Sequence, residues 1–172
     1  MTFEGTVLVR DLIGASTPWR TLFNRSAPIE MSVVGAHVLS MLVAGGLAIS
    51  HDRGSLRAAR WTADARAHHV DELHAVHRVV VTALAICMAT GLLLFAADIK
   101  TYVSSVPFWV KMGLIALLLG NALIMTANEA TLRLHAGGAA TIAWSRIRAS
   151  SLVSISLWSA IVLVSIVLSL LK

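Results

Sequence analysis

Charge is scarce in this sequence: 13% of its 172 residues are Asp, Glu, Lys or Arg, against 57% hydrophobic, and the mean hydropathy is +0.79. So little charged surface cannot cover a soluble domain of this apolarity, which points to a polytopic membrane protein. Cysteine is nearly missing as well. Cys87 stands alone, so it closes neither an internal disulfide nor a paired-cysteine metal site, and inside an apolar run it reads as a packed thiol. The net charge of +5 is spread over the ends of apolar runs rather than gathered into a basic block with interleaved aromatics, so nucleic acid is not an expected partner. No nucleophile–base–acid set and no phosphate loop occur, which leaves a hydrolase or a kinase without residues to stand on. There is no internal repeat and no low-complexity tract.

What is present is a set of long uncharged runs. Met31 to Ile49 gives 19 residues without a formal charge, enough at ~1.5 Å per residue to cross a ~30 Å hydrocarbon layer. Val79 to Ala97 is another such run. Together with two later apolar stretches, the first of them carrying Lys111 near its start, they predict spans over about 29–50, 76–98, 108–127 and 152–171. The fold expected is all-α, a four-helix transmembrane bundle formed by residues 29–172. Asp98 to Pro107 is a short connection, which suits antiparallel neighbours. Residues 1–28 mix Phe3, Leu8, Leu12, Trp19 and Phe23 with Arg10, Arg20 and Arg25, and Thr17-Pro18 reads as a break. They lack the continuous apolar core of a secretory signal, and they predict one or two short amphipathic helices lying at the membrane interface.

An even number of spans puts both termini on one face, here face A. Face B carries eight Lys or Arg against six for face A, a bias that makes face B cytoplasmic and both termini periplasmic. Trp19, Tyr102 and Trp109 on face A, with Trp61 and Trp144 on face B, are placed like interfacial belts.

The chemistry rests on seven histidines. His37 lies six residues inside the first span, ~9 Å below face A, where an ionisable side chain is costly and a functional suspect. The other six, His51, His68, His69, His74, His77 and His135, gather toward face B. His74 and His77 share a helical face, and His51 ends the first span where His77 begins the second. That arrangement could hold a b-type heme between His51 and His77, or a copper or zinc ion with His74 as a third ligand. At the depth of His37 no second histidine is available. Met88 or Met112 could complete a histidine–methionine pair suited to heme iron or Cu(I), and Gly91 could leave room beside a flat macrocycle. Against these stand solvated interface histidines and, for His37, a buried imidazole hydrogen-bonded to a neighbouring helix. Thr90-Gly91 is also a common close-packing pair between helices. Lys111 reads as a snorkelling side chain or a partner of Asp98 or Glu30, and Asn121 as an interhelical hydrogen bond.

His37-Val38-Leu39-Ser40, then Gly46 and Asp52-Arg53, Thr90 to Phe95, Pro107 to Met112, Gly120 to Leu123 and Ser156-Leu157-Trp158 follow one another in order. Over about Trp19 to Lys172 this resembles a family of uncharacterised four-span bacterial inner-membrane proteins. The Thr90-Gly91 pair with Lys111 and Asn121 is also similar to copper-resistance-D-type membrane proteins. The sequence departs from the first pattern at Met125-Thr126, where the family carries a histidine, and at Val164-Ser165, where it carries glycine and arginine. The resemblance implies a multi-pass protein of the bacterial inner membrane.

Three functions follow as expectations. The first is a small redox subunit or membrane anchor holding b-type heme, between a quinone and a partner protein, with His37, Met88 and Gly91 near face A and His51 with His77 near face B. The second is copper binding or transport through His37, Met41, Met88 and Met112. The third is a cofactor-free accessory subunit of a larger complex of membrane or periplasmic subunits.

Overall fold

A chain in hydrocarbon has no water to bond its peptide groups, so each apolar run must close its own hydrogen bonds as a helix. The computed structural model describes residues 3–57, 63–134 and 138–170, and the side chains of residues 7, 10–57, 78–132 and 141–170 within them. Its helices are α1 (Phe3–Arg25), α2 (Ala27–Arg57), α3 (Ala63–Ala97), α4 (Ile99–Ser104), α5 (Val106–Leu134) and α6 (Gly138–Leu170). No strand occurs among the described residues. Four segments, Ala27–Arg57, Arg78–Ala97, Val106–Leu132 and Thr141–Leu170, are long and apolar enough to cross a membrane. The protein is a multi-pass membrane protein with an all-α bundle.

Local chemistry sets the junctions. Ser26 breaks the first pair of helices, and its carbonyl accepts the N–H groups of Ile29 and Glu30 at 3.0 Å each. Pro28 in the first turn of α2 has no N–H to leave unpaired there, and Glu30 suits the positive end of the helix dipole. Asp98 caps α4 by accepting from the Thr101 N–H. Pro107 opens α5 in the same tolerated position. The expected break at Thr17-Pro18 does not form. α1 runs through as one helix of 23 residues. Pro18 removes only the backbone bond to the Gly14 carbonyl, and the helix continues past it; the hydroxyls of Ser16 and Thr17 bond the neighbouring Ile13 carbonyl at 3.1 and 2.9 Å. The amphipathic segment packs against α2, α3 and α4, and Trp19 Nε1 donates across to the Leu93 carbonyl at 2.8 Å.

α2 is the shared element of the bundle, touching α1, α3 and α6, while α5 packs on α6. Ala44 of α2, Ala83 of α3, Leu118 of α5, and Trp158 and Ile161 of α6 form the buried centre. Gly45 permits the α2–α6 approach. A Cβ there would stand 3.0 Å from Trp158 Cε3 and 3.2 Å from Cζ3, so the indole lies where a side chain would otherwise be. Asn121 Nδ2 donates to the Ser150 carbonyl at 2.9 Å, tying α5 to α6 as the sequence suggests, an interaction worth about 0.6 kcal/mol in a bilayer. On face A the rings of Phe95, Tyr102 and Phe108 pack together, Phe95 and Phe108 stacked with centroids 5.4 Å apart. This cluster joins α3, α4 and α5 at that end.

The Gly45–Trp158 contact makes a testable prediction. Gly45→Val should destabilise the detergent-solubilised protein by about 1–3 kcal/mol through overpacking, read as a lowered midpoint of thermal unfolding. An unchanged midpoint would mean that the indole has room to move aside.

Candidate functional site

His37 faces α3 at the place where Cys87, Thr90 and Gly91 share one side of that helix, at i, i+3 and i+4. Its Nδ1 lies 3.1 Å from the Cys87 carbonyl and 3.1 Å from Thr90 Oγ1, with the Cys87 sulfur at 3.7 Å. A carbonyl only accepts, so the proton between His37 and Cys87 belongs to Nδ1. Thr90 agrees, because its own hydroxyl hydrogen is directed to the carbonyls of Ile86 and Cys87 at 2.7 and 3.1 Å and its lone pairs remain for the imidazole. The partners therefore assign His37 the Nδ1–H tautomer, with the lone pair on Nε2. Among the described residues Nε2 has no hydrogen-bond partner.

Gly91 makes room for this contact. A Cβ on it would approach His37 Cε1 to 3.2 Å and Nδ1 to 3.7 Å. The space that the sequence suggested for a macrocycle beside Gly91 is filled by the edge of the imidazole. Met88 is placed elsewhere: one residue on from Cys87, it turns about 100° away around α3 and is 51% exposed on the outside of the bundle. The structure does not bring Met88 to His37. Met41 packs on the central cluster, and Met112 is half-buried on α5.

Two further residues complete the setting. Ser40 is buried, donates to the His37 carbonyl at 3.0 Å and faces the Cys87 thiol. Lys111 lies one turn beyond Phe108, close enough for its charge to act on both His37 and Cys87. It belongs to the surroundings of the His37 site, a role its position as a snorkelling residue did not suggest. Polar groups in this region thus converge from α2, α3 and α5.

On face B, His51 is half-buried near the end of α2. His74 and His77 lie on the helical stretch of α3, but their side chains, like those of His68 and His69, are outside the described residues, and so is His135. The proposed His51–His77 pair and the His74 ligand therefore have no geometry to report. Among the described residues no group of three or more His, Cys, Asp or Glu comes together as a metal-binding set.

Asp52 enters the sequence argument only through the Asp52-Arg53 pair and without a chemical role, yet its side chain is only 2% exposed and faces Ser151 and Ser154 of α6. The signal available was the run Ser150-Ser151 with Ser154, small polar residues at the face B end of the last span, where an antiparallel α6 meets the end of α2.

The chain matches no family model, no curated protein and no solved structure.

The tautomer can be tested directly. In ¹⁵N-histidine-labelled protein in micelles, the His37 signals should show a protonated Nδ1 and an unprotonated Nε2, and they should be identified by their loss in His37→Phe. A proton on Nε2 with a bare Nδ1 would reverse the donor assignment.

Proposed function

We propose that this protein is a small integral membrane redox subunit or anchor, in which His37 Nε2 would hold b-type heme for electron transfer between a quinone and a partner protein. The observation that carries the reading is the Nδ1–H bond to the Cys87 carbonyl. A ligating histidine characteristically donates its other ring N–H to a carbonyl or carboxylate, which fixes the ring and leaves the second nitrogen basic. Thr90, Ser40 and Gly91 hold the ring in that attitude. When bound, heme supplies the one-electron chemistry that no side chain here provides.

Among His37, Met88 and Gly91, His37 alone is placed to hold the group. Met88, exposed to the outside, and Gly91, covered by the imidazole, do not make the second half of a site with His37. The second ligand is then Met112 of α5 or a residue of another chain, since the depth of His37 keeps it far from the face B histidines. The wider setting proposed is the bacterial inner membrane with periplasmic termini, following the arginine bias and the family resemblance.

A second reading is favoured by a different observation. His37 to Cys87, Asn121 to Ser150 and Trp19 to Leu93 all join one helix to another, which is what a cofactor-free accessory subunit of a larger complex needs. The copper reading has less support, because Met88 stands apart from the other proposed soft donors.

The two leading readings separate in one preparation. Protein purified with its native partners from heme-replete cells should show a Soret band that His37→Ala abolishes while Met88→Ala leaves it intact. A colourless complex, with His37→Ala lowering only stability, would replace the redox reading by the accessory one.

A further inference from the structure

We propose that Asp52, Ser151 and Ser154 form a binding site for a hard monovalent cation, Na⁺, between α2 and α6 near face B. Asp52 is 2% exposed and Ser151 0% exposed, with Ser154 and Ser55 also buried. Besides its burial, what acts most on the Asp52 carboxyl is the pair of hydroxyls of Ser154 and Ser151. Ser151 Oγ nevertheless makes no hydrogen bond of ordinary length, although it is sealed from solvent and directed at the carboxyl. A buried hydroxyl that faces a carboxylate without closing on it keeps its oxygen lone pairs available to a ligand.

The charge argument selects the ion. Arg53 and Arg57, the basic residues nearest in sequence, are exposed and turned to the outside of the helix. A buried carboxylate needs a counter-charge, since leaving it unpaired is strongly unfavourable. Its donors are all oxygens, which suits a hard cation over a soft one. A single carboxylate balances one positive charge, whereas a divalent ion would leave an uncompensated charge inside the bundle. The site lies five residues before the end of α2 at Arg57, so the ion reaches it from face B. This site shares no residue with the His37 pocket and does not depend on the redox reading.

Equilibrium binding of ²²Na⁺ to the full chain in zwitterionic nanodiscs, with choline holding ionic strength constant, tests it. Wild type should bind Na⁺ saturably. Asp52→Asn should abolish the binding, and Ser151→Ala should weaken it roughly tenfold, the loss of one ligand being comparable to one hydrogen bond to a charged group. If Asp52→Asn does not fold in choline buffer, the double variant Ser151→Ala/Ser154→Ala carries the same expectation of lost binding. No saturable binding to wild type, as for a carboxyl occupied only by a proton, overturns the proposal. Binding unchanged in the variants that fold would place the ion elsewhere and overturn it equally.

Discussion

Everything in this bundle depends on how α2 disposes of two polar side chains that hydrocarbon will not solvate. His37 and Asp52 sit on one helix ~22 Å apart along its axis, and each needs a partner from a neighbouring helix because no water is at hand. His37 finds it in the Cys87 carbonyl and Thr90 of α3, Asp52 in the serines of α6. Around the helix the two positions differ by only about 60°. The same broad face of α2 therefore meets α3 toward face A and α6 toward face B, and this fixes α2 as the element the others pack against. Dispersion between apolar side chains would allow many arrangements of four similar helices. The two polar contacts and the Gly45–Trp158 contact are far more selective.

The serines of α6 show how finely lipid sorts polar groups. Ser156, Ser159 and Ser169 are exposed on the bundle's outside, and each returns its hydroxyl to a carbonyl three or four residues back in its own helix. They are neutralised locally and ask nothing of a partner. Ser151 and Ser154 point inward and have Asp52 before them instead. One residue type thus has two fates, decided by which side of the helix it occupies rather than by its identity.

That distinction also explains what could be read from the sequence. The four spans were legible because the bilayer imposes a rule on single segments: enough uncharged residues in a row to cross it. The interhelical bond of Asn121 was legible for the same reason, since an amide in mid-span has few other options. Helix pairing obeys no such one-dimensional rule. Nothing in the run from Val79 to Ala97 says that Cys87 and Gly91 face His37 while Met88 does not, and one position along a helix separates a partner from a lipid-facing side chain. Asp52 was concealed by its neighbours, because beside His51 and Arg53 it resembles an ordinary polar boundary. Only the antiparallel return of α6 encloses it. Pro18 misled in the opposite direction, since a single proline removes one bond and a helix of 23 residues continues past that loss.

The two polar sites are divided by an apolar layer, and this constrains any traffic between them. Met41, Ala44, Ala48 and Ile49 of α2 lie between His37 and Asp52, packed against Ala83, Leu84, Leu114, Leu118, Leu157, Trp158 and Ile161. Among these described residues no side chain can pass a proton or hold a charge on the way. The described apolar layer separates the two sites by several turns of α2. The 3.0 Å approach of Trp158 to Gly45, midway along that path, resists sliding of α2 against α6.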